Sequence, residues 1–597
     1  MAGMQMNRPR RNIHREKVSV GDWQTTVKRL WRYLADSKKY LLIVFFLTVV
    51  TTAVTIIGTR INGIVIDRYI THHQLQTLLI VCGIMAVVYV IASAANYFQN
   101  SLMIAVAQST SAGIRQDVFE NLQHQPMRYF DTHDNGDVMS RLTNDVDNIN
   151  TALMQTFVQL FTGIIAIIGM GAAMLWLSPI LFAITLLATL ATYLFSRAVA
   201  RLTQKAFMTQ QVALGSLNTQ IEESVSGKQV VQLFNHLEAT TKHFDETNAR
   251  YTHAAFIAQA LSSVIGPFNN MTNNVAYLLI TAVGAASILG HVGNITVGVI
   301  FTFLIYLRNF TGPINNLLDL INTLQLSLVS AQRVFELIDA PREVDLPNAV
   351  SVTKTDGAVA FDHVSFAYDD TRTILHDINL VAKPGAVVAL VGPTGAGKTT
   401  IMNLLTNLYP LQQGRVLLDG RDVTTIKRAD LRHLITVVQQ ESYLFSLSIR
   451  ENIRMGRPQA SDDEVVQAAM EANAHTFITQ LPDGYDTILS ENASALSIGQ
   501  RQLLSIARAF VTQAPILVLD EATAAIDSNT EALIQAAMSK LMQGKTSFVI
   551  AHRLSTIQAA DLILVIDDGR VIERGTHESL LAQNGFYAQL YNAQFEP

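Results

Sequence analysis

The chain has 597 residues, a formal net charge of −5, and 49% hydrophobic against 15% charged residues. That length exceeds one domain, and the low charged fraction points to membrane-embedded segments. The single cysteine, Cys82, excludes an intrachain disulfide and a zinc-cysteine cluster, and a mildly negative chain with no long basic tract beyond its N-terminal region argues against a nucleic-acid partner.

Residues 1–39 carry a cluster of Arg and Lys. Trp23, Val27, Leu30, Trp31 and Leu34 recur at helical spacing opposite Lys28, Arg29 and Arg32. This pattern predicts a helix lying in the membrane interface; an amphipathic packing helix would share it. Tyr40–Thr59 is free of charge and, at about 20 residues, long enough to span a bilayer. Starting so late and running so long, it does not read as a secretory signal. Leu78–Ala95, Leu160–Trp176 and Ile180–Phe195 follow, the last two joined by a tight Leu177, Ser178, Pro179 turn. Val275–Leu289 and Ile295–Leu307 are shorter runs that Ala254–Phe268 and Phe310–Ile321 could lengthen. Six spans is the expectation, with Cys82 a small buried residue inside the second.

The polar stretches 108–150 and 197–252 are charged, whereas the turns near Ser178 and Gly290–Asn294 hold no Lys or Arg. The positive-inside rule then puts the N-terminus and the charge-rich C-terminal part in the cytoplasm of a multi-pass membrane protein. The last span holds Arg308 beside Asn309 and Phe310, ahead of Asn315, Asn316 and Asp319. An ionisable residue at membrane depth is a functional candidate, but an interfacial or helix-pairing role for Arg308 is favoured on sequence. Phe301, Phe303, Tyr306 and Phe310 could line an apolar cavity or face lipid.

Gly392, Pro393, Thr394, Gly395, Ala396, Gly397, Lys398, Thr399 and Thr400 fit the phosphate-cradling pattern G-x-x-x-x-G-K-[ST]. The apolar run Val387–Val391 before it reads as a buried strand, and Ile401–Leu405 after it as the start of a helix. Glycines let backbone N–H groups approach phosphate oxygens, and the helix N-terminus adds donors and a favourable dipole. Lys398 can reach the outer phosphates, and the Thr399 hydroxyl can ligate Mg²⁺. Three further strand-like runs end in suitable chemistry: Ile516–Leu519 at Asp520 and Glu521, Thr546–Ala551 at His552, and Leu434–Val438 at Gln439 and Gln440. In a doubly wound sheet these ends surround the ligand. Asp520 suits an outer contact to Mg²⁺, Glu521 the orientation of the attacking water, His552 a γ-phosphate contact, and Gln440 the sensing of metal and water.

From about Val359 onward the sequence resembles the ATP-binding cassette (ABC) family. Tyr368 is similar to the residue that stacks on adenine, Gln440 to the Q-loop glutamine and His552 to the switch histidine. Leu496, Ser497, Ile498, Gly499, Gln500 resembles the signature motif, and Ala524–Asp527 the D-loop. The resemblance implies an α-helical transmembrane domain of six spans fused to an α/β P-loop cassette. It implies residues 1–39 as a cytoplasmic N-terminus, 40–325 as transmembrane domain, 326–358 as linker and 359–597 as cassette. It further implies ATP and Mg²⁺ as cofactors, ATP hydrolysis coupled to transport, and a second half-exporter subunit. Ser497, Gly499 and Gln500 would then cap the nucleotide held by the partner's phosphate loop. Gln123–Asp134 and Glu222–Phe234 would contain coupling helices.

The signature departs from the family pattern, with Ile498 where the first glycine stands. This removes clearance and narrows the backbone choices. Ser490, Glu491, Asn492, Ala493 also departs from the usual Gly-Glu-Arg-Gly. Two readings follow: a homodimer with two weakened sites, or a heterodimer in which this chain supplies the sound Glu521 and a degenerate signature. The family implies amphipathic drugs or dyes as cargo of such a heterodimer, with a homodimeric lipid exporter or an ATP-gated regulatory membrane protein as alternatives.

Overall fold

The computed structural model describes residues 23–291, 295–369, 372–440, 442–490, 496–520, 526–551 and 554–595. The chain divides into two compact units, one of residues up to Leu122 with Gly136–Asp339, the other of Gln123–Asn135 with Ala340 onward.

In the first unit, α1 (Trp23–Ala35) is followed by α2 (Lys38–Val65), which a wide turn extends to Ile70. α3 (Leu75–Gln123) has 49 residues, so at about 1.5 Å per residue it is more than twice as long as a ~30 Å hydrocarbon core is thick. It therefore carries the polar stretch beyond residue 108 as continuous helix. The short α4 (Met127–Thr132) belongs to the second unit; α5 (Asn135–Ser140) leads back into the first and precedes α6 (Val146–Leu177). Ser178 then turns the chain into α7 (Pro179–Ser226), its hydroxyl accepting from Leu181 N at 3.4 Å with Pro179 opening the helix. α8 (Lys228–Leu233), α9 (Leu237–Ser263), α10 (Ile265–Leu289) and α11 (Val297–Asp339) complete the unit. Among the described residues, six helical stretches are long and apolar enough to cross a membrane. α11 continues through residues 326–339, the first part of the segment read from sequence as a link.

α2 and α11 approach closely because neither has a side chain at one crossing point: a Cβ on Gly298 would lie 2.0 Å from the Gly63 carbonyl oxygen. The Asp67 carboxylate accepts from Thr296 Oγ1 at 2.5 Å and from Gly298 N at 2.8 Å, and Tyr306 donates to the Ile56 carbonyl at 2.8 Å. At the far end of α11, Arg333 pairs with Asp137 and with the buried Asp145 at 3.0 Å, and Ser330 donates to Asp145 at 2.8 Å. Cys82 is exposed, not buried as expected. The apolar window of α3 has no residue buried within the chain, so its side chains project outward, where a spanning helix meets lipid or another chain.

The second unit holds two sheets. β1 (Val359–Ala367), β2 (Thr373–Ala382), β4 (Gln413–Leu418) and β5 (Arg421–Asp422) make an antiparallel sheet in the order β2-β1-β4-β5, where β3 (Val387–Val391) is absent. β3 joins β6 (Ile435–Val438), β7 (Ile516–Asp520), β8 (Thr546–Ile550), β9 (Leu562–Asp567) and β10 (Arg570–Gly575) in the order β10-β9-β3-β8-β7-β6. All neighbours in it are parallel except β9 and β10. The central strands are buried over nearly their whole length, which explains their unbroken apolar sequences. α12 (Lys398–Leu405) and α13 (Arg428–Leu434) lie in this part. A second core gathers α14 (Ile449–Arg454), α15 (Asp462–Glu471), α16 (His475–Thr479), α17 (Ile498–Thr512) and α18 (Ser528–Met542).

Candidate nucleotide site

Strand register aligns the carboxyl ends. Leu390 pairs with Ile550, Ile550 with Asp520, and Val438 with Leu519. The phosphate loop leaves β3, Asp520 ends β7 and Gln440 follows β6, so all three meet at one edge. Thr394, Gly395, Gly397, Lys398, Thr399 and Thr400 line a cleft of about 460 Å³ that Gln440 and Asp520 also line. Gly397 caps α12 with φ +101°, and a Cβ there would lie 2.6 Å from Leu375 Cδ2; only glycine suits both demands. Lys398 Nζ donates to the carbonyls of Gly392 and Pro393, each at 2.9 Å. Burial lowers the pKa of this ammonium, and the nearby Asp520 charge opposes the shift. The lysine is thus held at the mouth of the loop by neutral acceptors, ready for a stronger anionic one. Ala396 is buried and braces the loop, its N–H donating to Pro393 O at 3.2 Å.

Glu521 directly follows Asp520, and His552 follows Ala551 at the end of β8; both lie outside the described residues, as do Glu491–Ala493, Ala524 and Ala525. Tyr368 stands behind the cleft lining, bonded to one of its residues. Its ring packs on the core edge-on to Tyr409, at 4.9 Å and 87°. Its hydroxyl donates to Thr400 Oγ1 and accepts from Asn403 Nδ2, both at 3.2 Å.

Ser497 caps α17. Its hydroxyl accepts from Gln500 N at 3.2 Å while Gln500 Oε1 accepts from Ser497 N at 2.9 Å, a reciprocal capping box. Gly499 is buried against α18, where a Cβ would lie 2.3 Å from Thr530 Cγ2. Asp527, the described end of the D-loop, caps α18 by accepting from Thr530 N at 2.9 Å. Ile498 is the first residue of α17 and 49% exposed. Its backbone is helical, a conformation open to a β-branched residue, and its side chain projects outward. Ser497, Gly499 and Gln500 do not line the Lys398 cleft.

One contact was not legible in sequence. Tyr409, 7% exposed, donates to Asp131 of α4 at 2.7 Å across 278 positions of chain. Burial and the Asp131 carboxylate both push the phenol pKa up. Gln125 Nε2 donates to Ala340 O at 3.1 Å, and Glu343 N to His124 O at 2.6 Å, fixing the same segment. The only sequence hint was that Asp131 falls inside Gln123–Asp134.

Six apolar membrane-length helices joined to a P-loop cassette define an ATP-driven membrane transporter. Residues 41–314 match the ABC transporter transmembrane region and residues 375–524 the ABC transporter family. The chain is 41% identical over 583 residues to the uncharacterized ABC transporter ATP-binding protein YfiC of Bacillus subtilis, covering 98% of this chain and 96% of that protein. It is 41% identical to the fatty acid ABC transporter ATP-binding/permease protein of Mycobacterium bovis, over 85% of this chain and 80% of that one. An ATP-dependent lipid A-core flippase of Syntrophus aciditrophicus is 36% identical, over 85% and 84%. The chain belongs to the ABC transporter family, as an exporter half-transporter whose ATPase is coupled to transport.

Proposed function

We propose that this chain is one half of a heterodimeric exporter that moves amphipathic small molecules outward across the cytoplasmic membrane, with one competent and one degenerate ATP site. In this reading the N-terminus and the cassette are cytoplasmic, and α1 rests on the membrane through Trp23, Val27 and Trp31, which are exposed. The phosphate loop with Thr399, Asp520 and Gln440 offers a hydroxyl, a carboxylate and an amide carbonyl at one cleft, an oxygen set that fits magnesium. The ion, when bound with ATP, neutralises charge on the phosphates. Lys398 holds the outer phosphates, Glu521 orients the attacking water, and His552 contacts the γ-phosphate. Ser497, Gly499 and Gln500 cover the partner's nucleotide.

The observation that carries the asymmetry is Ile498, whose exposed side chain stands at the helix N-terminus where the partner's nucleotide would be capped. A bulky apolar group there hinders approach of the phosphates to the α17 amides. The exposed Val230, Leu233 and Phe234 at and just after α8 support a second contact, onto the partner's cassette. The test is ATPase activity of the purified chain, alone and with its partner half. The pair should turn over ATP and Glu521→Gln in this chain should nearly abolish it; full activity of this chain alone would refute the heterodimer.

A lipid-exporting homodimer is the second reading. Relatives named for fatty acid and lipid A-core transport favour a lipid-like cargo.

A further inference from the structure

The cargo's headgroup can be argued from α10 and α11, on the premise that the chain is an exporter. Arg308 lies about 17 Å along the axis of α11 from its start at Val297, roughly halfway through a ~30 Å hydrocarbon core. It lines a cleft of about 500 Å³ with Tyr277 of α10 and with Leu304, Ile305 and Asn309 of α11. Among the described residues, the ion pairs of α11 sit at its far end: Arg333 with Asp137 and Asp145, Glu336 with Arg141, and Asp339 with Arg29. Arg308 makes none among the described residues.

Sequence makes this more pointed. α10 has no charged residue, and from Val297 to Leu318 Arg308 is the only charge. A helix-pairing role, favoured on sequence, therefore finds no carboxylate here. A guanidinium at mid-membrane is costly unless it faces an interior cavity or a partner charge. Leu304 and Ile305 give the cleft an apolar wall; Tyr277 and Asn309 bring hydrogen-bonding groups beside the cation. Asn269 and Asn273 precede Tyr277 at four-residue intervals, so all three share one face of α10. The Asn269 Oδ1 is buried without a hydrogen-bond partner.

We infer that this cleft binds an amphiphile with a single acidic headgroup, a carboxylate or phosphate monoester, paired with Arg308 while its chain lies on Leu304 and Ile305. The planar fork of arginine matches both headgroups.

The test compares three ligands of one chain length, dodecanoate, dodecyl phosphate and dodecanol, as competitors for radiolabelled dodecanoate on the purified exporter in non-ionic detergent. Both acids, or one of them, should bind at least about tenfold tighter than the alcohol, the least expected of a desolvated charge pair. The two acids against each other identify the headgroup. Arg308→Gln should bring acid and alcohol within about twofold, whereas Arg308→Lys should keep a reduced acid preference, having charge without the fork. Equal binding of acid and alcohol by the unmodified exporter overturns the inference, as does an acid preference that survives Arg308→Gln. Should Arg308→Gln not fold, the unmodified protein and Arg308→Lys decide. ATP-driven dye uptake into inverted vesicles separates the two levels: uptake without acid preference removes the headgroup inference alone, while absence of any ATP-driven transport removes the exporter reading.

Discussion

Tyr409→Phe removes one hydroxyl and nothing else, at the point where α4 packs within the second unit. The lost bond is 2.7 Å long and its acceptor is the Asp131 carboxylate. Hydrogen bonds to charged groups contribute about 1.5–3 kcal/mol. Asp131 is exposed, so water replaces the tyrosine at its carboxylate and the lower end applies, about 1.5 kcal/mol. That is about tenfold in the equilibrium between seated and unseated α4. The phenylalanine ring retains the edge-on contact with Tyr368, itself bonded to Thr400 of the phosphate loop, so nucleotide binding should change little. The expected result is ATPase activity within about twofold of the unmodified exporter, with transported cargo per ATP falling severalfold, since only the seating equilibrium has moved. ATPase and dye uptake would be measured on the same proteoliposomes. An unchanged ratio of transport to hydrolysis would refute a coupling role for this contact. Equal losses of both activities would place the tyrosine in nucleotide binding instead.

Ile498→Gly should raise ATPase activity of the assembled exporter while lowering stability by no more than about 1 kcal/mol, because the side chain is exposed on the first turn of α17; a turnover assay with a melting curve checks both. Gly298→Val should prevent correct packing of α2 against α11, at or above the upper end of the ~1–3 kcal/mol of ordinary overpacking, because the added Cβ meets the Gly63 backbone oxygen. Size-exclusion profiles of detergent extracts would show the loss. Asp419→Asn should lower the melting temperature at neutral pH. Burial raises the Asp419 pKa, but bonds from Thr355 and from the Asp356 and Ala358 N–H groups outweigh it and hold the carboxyl below its ordinary value. A depressed carboxyl stabilises the fold fully above the ordinary carboxylate range and loses that contribution as pH falls through its folded value. The gap between variant and parent should therefore narrow in acid.

The nucleotide cleft was legible because its parts are local. A strand, a glycine loop and a helix that succeed one another in sequence must be neighbours in space, and the chemistry at the ends of β3, β6 and β7 follows from parallel pairing alone. The six spans were legible for a similar reason, since an uncharged run of membrane length has few other places to go. Sequence determined the kind of machine and which residues could hold phosphate. Tertiary structure decided what long-range packing sets: that Cys82 faces outward, that Ile498 stands exposed on a helix turn that suits its backbone, that Tyr409 meets Asp131, and that Arg308 meets no carboxylate among the described residues. Such facts depend on which faces of distant helices come together, and a periodicity written along one segment does not name its neighbour.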